Sequence, residues 1–520
     1  MLSIATKCQL IFLSSLLLLS VVTTAILPGK TDGLQSQTLV SPNRPTKVVE
    51  PLITTQLSFT TTVVITPTVV SHKLNGVGVH LFDADNDPTD TQFEDALDTL
   101  GLKYLRIQFG PNWDHENIPD PPACNDDSHR PLMYDFVQTN FNSDYSTRLD
   151  NAKTVSGIAE AQNIEIIYLN WRAFEIWLTD PIIYRELKEE YVNDYACFVT
   201  QVVKYLTDNE VKISYLEPTN EPDGTTDTKI PPGHYNNFVK FLREYLDEEG
   251  LDYIKILGPG LAYLNHDNTC ESYVGALDPI GVNAIGVWAF HAWDPEFSPN
   301  EQEEDILRMR WQECQEIIKG IDPLKPIFIT EYACVNVEAG DPTKVNALCA
   351  VKNTLTLLDA GANVAVYWYL KEQSWDPNWK NWERALLEED YDKKATFIAL
   401  TSILPFISGD EVGVLETQVE GRITAASFYN EDNESGREQI VVSLANSYPE
   451  SENVLIYFEG GGVIDNIADR VLYDGETNAI QEPGPVLCQA AQCQLSLPPN
   501  TVTTLIFRWT LYLPIIIKHN

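Results

Sequence analysis

Two short apolar stretches of the chain run into glutamate where a strand should end. Lys212–Leu216 leads into Glu217-Pro218-Thr219-Asn220-Glu221-Pro222, and Ile327-Phe328-Ile329-Thr330 leads into Glu331-Tyr332. Two carboxylates facing each other across a pocket can divide the cleavage of a glycosidic bond. One, protonated, helps the leaving oxygen depart; the other, ionised, attacks the anomeric carbon. The strand period of two puts Ile327, Ile329 and Glu331 on one face. Glu331 then continues an apolar inward row, where solvation does not place a carboxylate. Each signal alone is weak. An Asn-Glu-Pro triplet arises by chance in roughly one chain in twenty of this length, and a lone glutamate after a strand also serves as a helix cap or an ion-pair partner. The conjunction carries the reading.

Other chemistries lack their motifs. The eight histidines form no H-E-x-x-H and the cysteines no C-x-x-C, so no catalytic metal and no other cofactor is expected. No G-x-S-x-G elbow supports a serine hydrolase.

The elements that would position the glutamates alternate regularly. Strands are expected at Gly76–Phe82, Tyr104–Phe109, Glu165–Asn170, Lys212–Leu216, Ile254–Leu257, Ala284–His291, Ile327–Glu331 and Val364–Leu370. Amphipathic helices are expected at Asp90–Leu100, Pro181–Leu206, Tyr235–Glu249, Glu303–Lys319 and Thr343–Ala360, the second capped by Asp180. Eight strands alternating with helices predict an α/β fold, a TIM (β/α)8 barrel, whose chemistry sits at the C-terminal ends of the strands. An open doubly wound sheet is the alternative; no G-x-G-x-x-G follows the first strand, which counts against a dinucleotide fold. After about Pro405, strands Val412–Val419, Ile423–Tyr429, Gln439–Ala445, Val454–Phe458, Val471–Asp474 and Thr501–Trp509 read as a C-terminal β-sandwich. The expected division is a signal peptide over 1–25, a Thr/Pro-rich linker with a possible sandwich strand over 26–72, the barrel over 73–407, the sandwich over 408–510 and an apolar tail over 511–520. The aromatic-rich stretch Gly110–Thr147 reads as an ordered wall of the substrate cleft, tethered by Cys124.

A net charge of −40, from 75 acidic and 35 basic residues, repels phosphate backbones and makes nucleic acid a poor partner. Lys7, the apolar run Leu10–Val22 and Thr23-Thr24-Ala25 read as a secretory signal. No later run is both long and uncharged, so no stable membrane span is expected after cleavage, and the protein is expected to be secreted or at the cell surface. Eight cysteines remain beyond Cys8, an even number suited to disulfides in an exported chain. Only Cys488 and Cys493 look pairable, across a hairpin loop. Oligomeric state is not readable.

With these residues in place, the chain resembles the clan A glycoside hydrolases, whose catalytic glutamates follow strands four and seven. The resemblance covers about 73–407. The Asn170-Trp171…Trp177 segment and the appended sandwich look most like glycoside hydrolase family 30. It implies a retaining β-glycosidase with Glu221 as acid/base, Glu331 as nucleophile and an oligo- or polysaccharide or other glycoside as substrate. Arg106 looks like the arginine beside the nucleophile, Asn220 like the asparagine on the sugar 2-hydroxyl, His291 like the strand-six histidine, and Trp368 like the tryptophan under the reacting sugar. Trp171 and Trp293 are further candidates for sugar contact, because tryptophan faces suit sugar rings. Taken singly, Arg106 also reads as a core-edge arginine, His291 as a structural histidine and the tryptophans as core. One position departs from the family: the aromatic hydroxyl expected two residues after His291 is replaced by Trp293, leaving Tyr332 or another group to take its place. The carboxyls should lie about 5–5.5 Å apart for retention. Arg106 should pair with Glu331, Glu221 should lack a cationic partner, and Glu217 should be structural. A non-catalytic carbohydrate-binding protein and a transglycosylase are the competing readings.

Overall fold

The computed structural model describes residues 60–81, 91–109, 119–124, 128–143, 146–170, 172–179, 185–224, 228–262, 268–293, 301–334, 342–372, 384–388, 390–431, 438–459, 463–489, 491–510 and 516–517. All fall within one unit, Ser58–Asn520. The chain enters through β1 (Thr60–Leu74) and then builds eight parallel strands: β2 (Gly76–Leu81), β3 (Tyr104–Ile107), β4 (Glu165–Leu169), β5 (Tyr215–Glu217), β6 (Lys255–Leu261), β7 (Val287–His291), β8 (Ile327–Tyr332) and β9 (Val364–Tyr367). Each pairs with the next, and β9 pairs with β2, closing the barrel. The alternating β/α pattern of the sequence has produced the TIM barrel, and the open doubly wound sheet is excluded.

Alternation within each strand decides what fills the barrel. Tyr104, Ile167, Tyr215, Leu257, Val287, Ala289, Phe328, Val364 and Val366 pack against one another inside it. The rings of Tyr104, Tyr215 and Phe328 meet at 5.3–5.9 Å. Trp288, Phe290, Ile327 and Ile329 face the other way, into the larger core beneath the helices. Two residues beyond Tyr104, Tyr215 and Ala289, the same inward rows end in Arg106, Glu217 and His291. The barrel is thus apolar below and ionic at the C-terminal ends of its strands.

That packing corrects two expectations. Ile327 and Ile329 do not form an inward row with Glu331: Phe328 and Thr330 point inward. The β7–β8 register slips, pairing Phe290 with Ile329 but His291 with Glu331. This bulge swings Glu331 inward. The second concerns the helix expected over Pro181–Leu206. Residues 180–184 lie outside the described residues. Beyond them Arg185 has φ 43°, Glu186 and Leu187 form β-bridges, and the helix starts only at Val192, running to Asp208. Arg185, in the left-handed region, cannot sit inside a right-handed helix, so periodicity alone overran the start.

The remaining strands form an eleven-stranded sheet: β1 with β10 (Val412–Glu420), β11 (Thr424–Glu431), β12 (Glu438–Asn446), β13 (Glu452–Phe458), β14 (Val463–Asp474), β15 (Ala479–Gln481), β16 (Val486–Gln489), β17 (Gln492–Leu497), β18 (Thr501–Thr510) and β19 (Ile516–Ile517). β1 pairs with both β10 and β13, so the sheet curls back on itself around a separate core of residues such as Val63, Val442, Ile456 and Phe507. The domain therefore takes strands from both sides of the barrel in sequence. Ile516–Ile517 of the apolar tail pairs with Val69–Val70.

Four disulfides join Cys124–Cys197, Cys270–Cys314, Cys334–Cys349 and Cys488–Cys493. The last is the hairpin pair expected from sequence, and it faces across β16–β17. The first ties the segment after β3 to the Val192–Asp208 helix. That segment is not a cleft wall throughout. Residues 130–143 are helical, and the rings of Tyr134 and Phe141 pack on Tyr205 of the neighbouring helix. Trp113, His115 and Tyr145 lie outside the described residues.

Candidate active site

Arg106 is the hub of the ionic layer. It is fully buried, and its guanidinium fork reaches five side chains. Nε donates to Glu217 Oε2 at 2.7 Å, Nη1 to Glu331 Oε2 at 2.5 Å and to His80 Nδ1 at 2.7 Å, and Nη2 to Asn220 Oδ1 at 3.0 Å, with His291 Nε2 3.3 Å from Nη2. Arginine has donors only, so His80 Nδ1 must accept and His80 is neutral. Burial, then the charges of Arg106 and His291, hold its pKa well below the usual value.

Glu217 is fully enclosed. Besides Arg106 it accepts from Thr330 Oγ1 at 3.0 Å and faces His291 Nε2 at 3.1 Å. Burial alone would raise its pKa. The Arg106 charge and the His291 contact overcome that and bring it to about 2. Its neighbour Gly260 has φ +69°, and a Cβ there would stand 2.9 Å from Glu217 Oε1. Only glycine fits.

Glu221 sits at φ 44°, a conformation that costs a non-glycine residue energy and clusters at functional sites. Its N–H donates to Gly260 O, and its own carbonyl accepts from Gly224 N, which fixes the turn after β5. His291 Nδ1 lies 3.0 Å from Glu221 Oε1. Both ring nitrogens of His291 thus face carboxylates. Burial would lower its pKa, but the Glu331 charge and the bonds to Glu217 and Glu221 raise it to about 10. His291 is an imidazolium donating at both ends. This corrects the expectation that Glu221 has no cationic partner: the inward alternation Val287, Ala289, His291 carries the histidine between the two glutamates of β5 and its turn.

One oxygen of Glu221, one nitrogen of His291 and one oxygen of Glu331 all lie within 4.8 Å of one another. Glu331 is 6 % exposed, held by Arg106 on Oε2 and by Trp293, whose Nε1 donates to Oε1 at 2.6 Å. Trp293 therefore contacts the carboxylate itself. Tyr332 does not substitute: its hydroxyl bonds Thr354 at 2.6 Å beneath the helices. Trp368 follows the inward row of β9 and meets Trp293 edge-to-face at 5.1 Å. Its backbone N–H donates to Tyr332 O. Of the expected residues, Arg106, Asn220, Glu221, His291, Trp293, Glu331 and Trp368 are brought together; Trp171 lies outside the described residues.

Three neighbours escaped the sequence reading. His80 and Thr330 were legible as inward positions of β2 and β8 once the register was known. Asp223 gave no signal beyond lying two residues from Glu221. Its Oδ1 accepts from Ala262 N at 2.9 Å. Burial, with the Glu221 charge adding to it against the Ala262 bond, raises its pKa to about 6.

No protein-family model and no curated protein matches this chain. Solved structures do. A glycoside hydrolase family 30 subfamily 8 xylanase from Clostridium acetobutylicum is 17% identical, with a TM-score of 0.60 over 86% of this chain and 99% of that one. The catalytic domain of a family 30 xylanase from Talaromyces cellulolyticus is 14% identical, with a TM-score of 0.63 over 86% and 100%. An endo-β1,6-glucanase is 15% identical, with a TM-score of 0.57 over 86% and 94%. At these identities the likeness is one of architecture, and it extends over barrel and β domain together: the chain has the fold of the family 30 glycoside hydrolases.

Proposed function

We propose that this protein is an exported, retaining β-glycoside hydrolase with Glu331 as nucleophile and Glu221 as acid/base. The observation that carries the reading is the approach of the two carboxylates, oxygens within 4.8 Å, in unlike surroundings. Retention needs a short separation, because the second carboxylate must itself reach the anomeric carbon; inversion leaves room for a water, at roughly 6.5–9.5 Å. Glu331 is gripped by a guanidinium and an indole N–H, one on each oxygen.

The proton inventory fits the two steps. Around the two cations, Arg106 and His291, lie the carboxyl groups of Glu217, Glu221 and Glu331. In glycosylation Glu331 bonds the anomeric carbon and the bond to the leaving oxygen breaks. The His291 Nδ1 proton passes through Glu221 to that oxygen. His291 becomes neutral as Glu331 becomes an uncharged ester, so the buried charge is unchanged. In the second step water gives its proton back through Glu221 as its oxygen displaces Glu331. Keeping charge constant in a buried site avoids a desolvation cost at each step. On this reading Asn220, which accepts from Arg106, bonds the sugar 2-hydroxyl, and Trp368 packs under the ring.

Export is supported by the N-terminal signal pattern and the four disulfides, which persist in oxidising compartments. Among the described residues no helix is long and apolar enough to cross a membrane. The substrate is a β-linked polysaccharide or oligosaccharide; the solved neighbours include xylanases and a β1,6-glucanase, so the test starts there. Wild-type enzyme is incubated with xylan, glucuronoxylan, β1,6-glucan and p-nitrophenyl β-glycosides, and the first-formed anomer is followed by proton NMR. The β-anomer should appear first and mutarotate later. Initial α-anomer would establish inversion, and no release from any substrate would favour a non-catalytic carbohydrate-binding protein.

A further inference from the structure

Trp293 holds the position where the resemblance leads one to look for a phenol, and it reaches the same carboxylate through a different group. Its Nε1 donates to Glu331 Oε1 while Arg106 holds Oε2, so each oxygen has its own donor. The indole is fixed on two sides. Trp368 meets it edge-to-face, and the Arg384 guanidinium lies over its ring, 5.2 Å from the centroid. Its backbone N–H donates to Ala262 O, and Ala262 N–H is in turn held by Asp223.

We infer that Trp293 is a positioning residue for Glu331, acting through its indole N–H, and not a sugar-stacking platform. The inference rests on the reading of Glu331 as nucleophile. An indole N–H is a donor only and does not ionise in the working range, whereas a phenol titrates near pH 10 and can also accept. Trp293 therefore offers Glu331 the same donor at every working pH and adds no titration of its own. With one face covered by Arg384 and the N–H committed to Glu331, its part in the reaction is to fix the orientation of the attacking carboxylate.

Two substitutions separate this role from mere packing. Trp293→Phe keeps an apolar ring and removes the donor. Trp293→His returns a nitrogen to the place of the indole nitrogen, because both five-membered rings put it at the same remove from Cβ. With 2,4-dinitrophenyl β-xylobioside and β-cellobioside as probes, Trp293→Phe should lower kcat about ten- to a hundredfold, the scale of a lost hydrogen bond to a charged group, with KM little changed. Trp293→His should recover most of the rate. A substrate-free arm uses nitrogen-15 NMR: the indole resonance missing in Trp293→Phe should be displaced in Glu331→Gln relative to the wild type, since its N–H contacts Glu331 Oε1. Equal losses in both Trp293 variants, wild-type kinetics in Trp293→Phe, or an indole signal indifferent to Glu331 would each overturn the inference. If the wild type hydrolyses no glycoside, the glycosidase reading fails, and the NMR arm alone decides whether Trp293 governs Glu331.

Discussion

Glu331→Ala is expected to lose hydrolysis of every glycoside, whatever its leaving group, by roughly 10⁶-fold, the scale seen when a covalent nucleophile is removed. Without the carboxylate no glycosyl-enzyme forms. Glu221→Ala should behave differently. An activated aryl group departs without a proton, so the first step survives. The second stalls, because no base draws a proton from the water. Poor leaving groups should lose about 10²–10⁴-fold, the range of general acid catalysis. Azide, a nucleophile that needs no base, should restore turnover of the activated substrate in Glu221→Ala and yield the β-glycosyl azide. In Glu331→Ala it should yield only the inverted α-azide. The opposite pattern of rescue would exchange the two roles, and full activity in both variants would remove this site from the chemistry. The motivating geometry is that Glu331 has two fixed donors, whereas Glu221 bonds the proton-carrying His291.

Glu217→Gln should show its largest effect on stability. The Glu217 carboxyl lies at about 2 against an ordinary 4.5, and each unit is worth 1.36 kcal/mol, so its ionised form contributes on the order of 3 kcal/mol. The folded pKa is depressed. The contribution is therefore complete above pH ~4.5 and disappears as pH falls from there through ~2. His291 runs the other way. Its pKa is raised from 6.5 to about 10, so its contribution is complete below 6.5 and is lost as pH rises through 10. Urea melts of the wild type should weaken in both windows. Glu217→Gln should lower stability at pH 7 by about 3 kcal/mol, lose the acid-side dependence between pH 4.5 and 2, and keep measurable turnover. Leaving Arg106 with one fewer counter-charge adds to the cost. A variant that melts like the wild type yet is as inactive as Glu221→Gln would make Glu217 the acid.

Much of this was legible because barrels write themselves twice in sequence. All eight barrel strands match segments expected from apolar runs between amphipathic stretches, and the residues ending them are polar where an apolar strand has no reason to be. What escaped depended on register. Glu331 was selected through an apolar row that turns outward, and it reaches the site through a bulge that period-two counting cannot foresee. His291 was found, but not that its ring spans Glu217 and Glu221, a relation set by the spacing between β5 and β7. Trp293 was weighed as a sugar platform because its type speaks of π-faces; its N–H contact requires the ring's direction. The helix expected from Pro181 failed for a local reason, the left-handed Arg185, which no periodic pattern encodes.

The most direct measurement of the central claim is covalent. The wild type is incubated with 2,4-dinitrophenyl 2-deoxy-2-fluoro-β-glycosides of xylobiose and cellobiose, whose fluorine slows breakdown of the glycosyl-enzyme. It is then weighed intact and digested for peptide mapping. The account predicts a stoichiometric mass gain of one fluoroglycosyl group, with the label on Glu331 in the peptide containing Ile327-Phe328-Ile329-Thr330-Glu331 and no label in Glu331→Gln. A label on Glu221, Glu217 or Asp223, or steady turnover of a β-glycoside by Glu331→Gln at the wild-type rate, would contradict it.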